Sequence, residues 1–328
     1  MGRIDPFILA ILATVALASV LPAQGPAAAV VNLASVAAIA LLFFLHGVRL
    51  KREALVAAVA DWKIHLVILG CTFVLFPLLG LALRAALPGL VSPLLWQGVI
   101  FLCVLPSTVQ SAIAFTSIAR GNVAVAVCAA AFSNLLGVLV TPLLAGLLLG
   151  ASGGVSGDQV VKIATQLLLP FVAGHLLRPW LGGWAGRHRT LLTFTDRGTI
   201  VLAVYGAFSA AVVEGLWHKL PPLELVVLTA LCLALLAALL VLTTLIARGL
   251  GYARPEEIAV VFVGTKKSMA SGVPMARIIF PAATAGTVML PIMIFHQAQL
   301  MACAAIARRY AARVDEPGIA AGEAEPAH

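Results

Sequence analysis

Charge is scarce in this sequence. Asp, Glu, Lys and Arg make up 10% of its 328 residues, and only 13 residues are acidic. A soluble domain carries about 25% charged residues, so this chain cannot cover itself with an ordinary water-facing surface. Metal-binding cysteine patterns are also missing. Cys71, Cys103, Cys128, Cys232 and Cys303 lie in apolar stretches without C-x-x-C or Cys/His spacing, and read as small buried hydrophobes. No glycine-rich phosphate loop, HExxH or nucleophile–base pair occurs. A Ser111 or Ser268 hydrolase would lack its carboxylate, because every acidic residue falls in a loop, a tail or a span end. An enzyme is therefore not expected. The net charge of +8 comes without a basic, aromatic-interleaved patch, which argues against nucleic acid.

What is present is apolar sequence, 62% of the chain. A membrane span takes about 20 such residues. Apolar runs divided by charge, Pro or Gly give ten spans: 6–22, 30–48, 64–83, 94–118, 122–149, 159–179, 197–214, 223–247, 256–280 and 286–307. The first, ending at Pro22, looks superficially like a signal peptide and is read as an uncleaved span because it completes this set. Residues 1–310 form one all-α membrane domain. Residues 311–328 are polar and are expected to be a disordered cytoplasmic tail.

Orientation follows from Lys and Arg. Arg84, Lys162, Lys219 and Arg277 fall on one side and Lys266 and Lys267 at mid-span. The remaining fifteen of the 21 basic residues fall on the other side, which is therefore cytoplasmic, with both termini on it. Ten is twice five, so repeat one (about 1–150) and repeat two (about 156–310) are inserted in opposite senses.

Two segments carry helix breakers or polar clusters at matching places. The fourth span reads Leu105-Pro106-Ser107-Thr108-Val109-Gln110-Ser111, and the ninth Val263-Gly264-Thr265-Lys266-Lys267-Ser268. Pro106 has no N–H and disfavours helix at Leu105. Both helices are expected to be discontinuous at mid-membrane, where unwound backbone is tolerated only in a cavity or within protein. Half-helix N-termini there favour an anion. A mid-membrane lysine costs about 2.5–3.5 kcal/mol on insertion scales, so the pair marks either a binding or coupling region or a scaffold bonded to backbone carbonyls. The two side chains cannot point the same way. Candidate substrate or ion contacts are Thr108, Gln110, Ser111, Thr265, Lys266, Lys267, Ser268, His296, Gln297 and Asn134, each with a purely structural alternative. For Asn134 and Ser133 that alternative is helix packing, and for His296 a bond to a neighbouring carbonyl. His46, His65 and His175 read as interface residues.

At Ala119-Arg120-Gly121-Asn122-Val123-Ala124, Thr141-Pro142-Leu143-Leu144, Gly264–Ser268 and Phe295-His296-Gln297, the sequence resembles the bile acid:sodium symporter family. It is most similar to a divergent sodium–bile-acid symporter-like subgroup. The resemblance covers about residues 5–310. It implies ten helices in two inverted five-helix repeats, with broken fourth and ninth helices crossing in a core domain beside a panel domain. It implies a secondary active transporter moving a small organic anion, bile-acid-like or another carboxylate or sulfated solute, across the inner membrane by alternating access, nominally with sodium. Where the family's sodium ligands stand, this chain has Phe262, Lys266, Lys267, Ala126, Ala130 and Thr72, so the expected ligand shell is lost. The alternatives are a sodium-independent or proton-coupled anion transporter with lysine in place of sodium, or a non-transporting membrane regulator or binding protein. No cofactor is expected beyond sodium, which the resemblance alone suggests. Expected partners are the anion, the bilayer and a coupling ion; no protein partner is indicated.

Overall fold

The computed structural model describes residues 6–49, 61–149 and 164–312. The charges counted at Arg3, Lys51, Arg52, Lys162 and Arg313, the start of the sixth expected span and the tail from 313 lie outside them. Among the described residues every regular element is a helix. These are α1 (Pro6–Val20), α2 (Pro26–Arg49), α3 (Trp62–Gly70), α4 (Phe76–Ala86), α5 (Pro93–Val104), α6 (Gln110–Ile118), α7 (Val123–Leu149), α8 (Leu169–Leu176), α9 (Arg178–Arg187), α10 (Arg189–Val213), α11 (Leu216–Lys219), α12 (Pro222–Gly249), α13 (Arg254–Gly264), α14 (Met269–Ile279) and α15 (Ala282–Ala312). A π-helical segment, Cys71–Leu75, joins α3 to α4, and another, Ala164–Leu168, leads into α8.

Local chemistry places several boundaries. Proline stands in the first turn of α5, α9, α12 and α13, where a missing N–H costs nothing. Glu256 and Glu257 open α13 and complement its dipole. Arg248, at the end of α12, reaches Glu257 with Nε and Nη2 at 3.0 Å. Tyr310 donates to the same carboxylate at 2.8 Å, which ties the end of α15 to the α12–α13 corner.

Six segments among the described residues are long and apolar enough to cross a membrane: Pro26–Arg49, Trp62–Ala86, Val123–Leu149, Arg189–Val213, Pro222–Gly249 and Ala282–Ala312. Many large apolar side chains point outward, including Leu33, Leu143, Leu147, Leu223 and Met301. In water such a surface would drive aggregation; against lipid it is the expected exterior. The chain is an integral membrane protein.

Hydropathy places the seventh span at 197–214, but α10 begins at Arg189 and is preceded by α9. The first two turns of α10 mix Arg189, three threonines and Asp196 with Leu191, Leu192 and Phe194, so hydropathy misses them although the backbone is already helical. The span expected at 286–307 is likewise longer, α15 running from Ala282 to Ala312.

Helices α1, α2, α8 and α10 pack together, with α9 on α2. The α2–α8 crossing is the closest of these contacts. A methyl group added at Gly47 would land on the Phe171 carbonyl oxygen, and one at Gly174 on the Phe44 carbonyl oxygen. Small residues permit such backbone proximity in membrane helices. Elsewhere α5 packs on α4, α7 and α15, and α13 packs on α3, α6, α7 and α12. The two groups meet where α10 lies along α14 and α15.

Candidate functional site: two interrupted helices around a polar cavity

Residues 105–109 separate α5 from α6, and residues 265–268 separate α13 from α14. Breaking a helix in apolar surroundings orphans carbonyls that water cannot satisfy. Here many of them are met by a donor. Leu102 O accepts from Leu105 N at 3.3 Å and Pro106 O from Ser268 N at 2.8 Å. Val104 O accepts from Thr141 Oγ1 at 2.8 Å, and Ser107 O from Asn134 Nδ2 at 2.6 Å. Val263 O, at the other break, accepts from Ser107 Oγ at 2.6 Å. The breaks are therefore stitched to each other through Pro106, Ser107, Val263 and Ser268.

Cys103 O and Leu105 O remain, and Lys267 takes both, its Nζ donating to each at 2.7 Å. A third bond runs to Thr72 O at 2.8 Å. That carbonyl is free for a covalent reason. Phe76 N bonds back to Cys71 O through the π-turn, and the next residue is Pro77, which has no N–H. Three acceptors need three N–H groups, which only the ammonium form supplies. Lys267 is buried to 1% exposure, with the Phe76 ring 4.0 Å from Nζ. Gln299 holds its main chain: Lys267 N donates to Oε1 and Nε2 donates to Lys267 O, both at 3.0 Å.

Lys266 points the opposite way. Its Nζ is fully buried and has no nitrogen or oxygen partner. It lies 4.4 Å from the centre of the Phe115 ring, beside the Cys303 thiol.

Both C-terminal half-helices begin at one cavity of about 420 Å³. Thr108, Val109, Gln110 and Ser111 line it from one break, Ser268, Met269, Ala270 and Ser271 from the other, with Asn134 and His296 between them. Thr108 Oγ1 and Ser111 Oγ are 2.8 Å apart. Ser268 Oγ accepts from Ser271 N at 3.2 Å and caps α14. Ser271 Oγ then donates to Asn134 Oδ1 at 3.1 Å. Phe43, Leu135, Val138, Phe171 and Ile200 supply an apolar wall. The one carboxylate in the lining, Asp196, is held by Arg49, Nη1 to Oδ2 at 2.6 Å and Nη2 to Oδ1 at 3.2 Å. A space of this kind, with hydroxyls, amides, helix N-termini and no unpaired acid, suits an organic anion.

The structure thus brings Thr108, Gln110, Ser111, Asn134, Ser268 and His296 to the cavity. Lys266 and Lys267 lie behind its wall, and Thr265 bonds back to Val261 O at 2.6 Å. Gln297 is not in the lining. Its neighbour Gln299 makes the contacts, to Lys267 and to His296 Nδ1 at 2.9 Å. Gln299 and Ser271 are not among the sequence-based candidates, and Arg49 and Asp196 enter there only as charges at span ends. A signal for Gln299 was available, since it stands one turn from His296 on the same helix face.

Residues 5–312 match the model of the SBF-like CPA transporter family. The chain belongs to that family. Membership makes it a membrane transporter of the bile acid:sodium symporter type rather than an enzyme. It is 53% identical over 322 residues to "Uncharacterized protein PA2026" of Pseudomonas aeruginosa, covering 98% of this chain and 97% of that one. It is 49% identical over 314 residues to "Putative symporter YfeH" of Escherichia coli, covering 95% of each. "Sodium/bile acid cotransporter 7" of Rattus norvegicus is 27% identical over 269 residues, 80% of this chain and 79% of the rat protein. The family's match spans both interrupted helices and the cavity between them.

Proposed function

We propose that the protein carries a small organic anion across the inner membrane by alternating access, with the anion held where α6 and α14 begin. The observation that carries this reading is the shared cavity. Two half-helix N-termini open on it, and its single carboxylate is neutralised by Arg49. Ten crossings in two inverted repeats, with cytoplasmic termini, fit the distribution of Lys and Arg. Arg277 Nη2 donates to Asn32 Oδ1 at 3.1 Å, joining α14 to α2. The sequence puts both residues at the outer ends of their spans, so this bond suits an outer gate closed over a cavity open inward. The moving parts would be the α1–α2–α8–α10 group and the group carrying the breaks.

Sodium is the nominal coupling ion, yet Lys267 supports a second reading in which a built-in ammonium occupies a cation position. It neutralises three carbonyl dipoles where a bound metal ion would otherwise do so. Lys266, without an oxygen acceptor, is the residue better suited to exchange a proton.

Proteoliposomes test these readings with labelled taurocholate and a panel of carboxylates and sulfonates as probes. Uptake that Ser111→Ala with Ser268→Ala reduces at least tenfold supports the cavity as the path. Probe binding without flux of any anion would sink the transporter in favour of a binding protein. Uptake unchanged when sodium is replaced by choline supports the second reading; a strict sodium requirement removes it.

A further inference from the structure

The outer bond between Arg277 and Asn32 has a counterpart in the other repeat. Setting Thr108-Val109-Gln110-Ser111 on Thr265-Lys266-Lys267-Ser268 and reading on without a gap brings Ala119-Arg120 onto Ala276-Arg277. Each arginine closes a half-helix that begins at the cavity, Arg120 just past the end of α6 and Arg277 in the last turn of α14. The opposing residues correspond in the same way. Asn32-Leu33-Ala34-Ser35-Val36 of α2 aligns with Asp196-Arg197-Gly198-Thr199-Ile200 of α10, and the same register sets Phe44 on Phe208. Local structure agrees with this register. Ser35 Oγ donates to Val31 O at 2.7 Å, and Thr199 Oγ1 to Thr195 O at 2.9 Å. Asn32 and Asp196 both stand near the start of their helices, which the repeat places on opposite faces of the membrane.

The two ends of the molecule differ. At the outer end α14 packs on α10, Arg277 reaches Asn32, and a methyl group added at Gly206 would lie 3.2 Å from Arg277 Nη2. At the inner end the cavity stands between α6 and the α2–α10 pair, with Gln110 on one side and Arg49 and Asp196 on the other. Asp196 is bonded to Arg49 there. Arg120 also has the one positive φ among the described non-glycine residues, 60°. Arg120 N donates to Ser117 O at 3.0 Å and Gly121 N to Thr116 O at 2.8 Å, a helix ending that ordinarily takes glycine at the position of Arg120. A cation at a helix C-terminus complements the dipole, and Arg120 fits the cytoplasmic excess of positive charge. Neither reason accounts for Asn32 and Asp196 at matching places on the opposing helices.

We infer that Arg120 and Asp196 form the inner latch of the transport cycle, made when the cavity closes toward the cytoplasm and Arg277 leaves Asn32. This rests on the alternating-access reading above. Latch residues exchange partners between states, and Asp196 passes from Arg49 within its own group of helices to Arg120 on the other. The two latches are unequal, because a guanidinium binds a carboxylate more strongly than an amide. Arg120 is thus a positioning residue, which sets how often the path faces outward and touches no substrate.

Opening of the outer path can be counted by labelling a buried position. Ala203 is buried on α10, on the same helix face as Gly206, which meets Arg277. In the full chain, Ala203→Cys is reacted with a membrane-impermeant maleimide from the outside of right-side-out vesicles, and the chain without this cysteine gives the background. The rate follows the outward-open fraction. Arg277→Gln is expected to raise it about threefold or more. In that background Arg120→Gln or Asp196→Asn should lower it again by about threefold or more. Arg120→Lys should keep the raised rate, and exchanging the charges, Arg120→Asp with Asp196→Arg, should restore it. Labelling that ignores positions 120 and 196 overturns the latch, as does a charge exchange no better than either reversal alone. If the exchanged chain does not fold, lysine against glutamine at position 120 decides. Labelling that never appears from outside in any variant removes alternating access, and the latch with it, so the two failures are separable.

Discussion

Lys267 donates its ammonium to the main-chain oxygen of Leu105 at 2.7 Å, across the contact between two interrupted helices 162 residues apart in sequence. The bond is one of three that satisfy carbonyls orphaned by a proline or by the end of a helix. Lys267→Met should therefore destabilise the protein by about 3 kcal/mol or more, since each buried carbonyl left unsatisfied costs about 1–3 kcal/mol. Lys266→Met should be neutral or stabilising, because it removes a buried ammonium that has no oxygen acceptor. Thermal unfolding of the two variants in detergent checks this. Shifts of the same sign and size would contradict the geometry.

Replacing Lys267 by a neutral polar residue also leaves a cation position vacant. In Lys267→Gln, sodium should raise the melting temperature relative to equal potassium or choline, and the parent protein should show no such difference. The comparison needs only the salt to be varied.

The α2–α8 crossing depends on two hydrogen atoms in place of side chains. Gly47→Ala and Gly174→Ala each drive a methyl into a carbonyl oxygen. Overpacking commonly costs about 1–3 kcal/mol, and backbone atoms cannot step aside as side chains do. Each variant should lose about 2 kcal/mol or more by thermal unfolding. Gly183→Ala, with nothing near its side, is the control and should change little.

The Arg49–Asp196 pair should respond asymmetrically. Arg49→Ala leaves an acid facing the cavity and should weaken anion binding about tenfold, or about 1.4 kcal/mol. Asp196→Asn leaves the guanidinium and should preserve or improve it. Titration with the same labelled anion reads both variants, and matching losses would show that the pair acts only as a brace between α2 and α10.

Asn134 bonds Ser107 O, Ala130 O and Ser271 Oγ. Asn134→Ala should cost about 1–3 kcal/mol through the unsatisfied Ser107 carbonyl and should lower probe uptake. Asn134→Asp should be worse for uptake than Asn134→Ala, since it places a charge of the proposed substrate's sign at the cavity.

The helix breaks were legible because their cause is local. Pro106 cannot donate, and a polar run at Thr265–Ser268 cannot remain in lipid without partners. Thr108, Ser111 and Ser268 stand in the same two segments and are legible with them. What could not be read was direction. Adjacent lysines diverge because one half of the crossing presents carbonyls and the other presents Phe115, which depends on how α6 passes α13. Gln299 rather than Gln297 meets Lys267 for the same reason: helix phase at the crossing selects between them. The Arg49–Asp196 pair joins residues 147 positions apart, and hydropathy hid Asp196 and Arg189 by ending the helix where polarity begins.

The three-carbonyl cage around Lys267 has a consequence for energetics. A sodium ion can be released on the far side of the membrane, but an ammonium bound to the chain returns with it. If that ammonium stands in for sodium, each cycle moves the anion's charge uncompensated. Membrane voltage then acts directly on the cargo, at about 2.3 kcal/mol per charge for each 100 mV. Across a membrane negative inside, that force points outward, so the cation that lets this protein dispense with sodium would also bias it toward export.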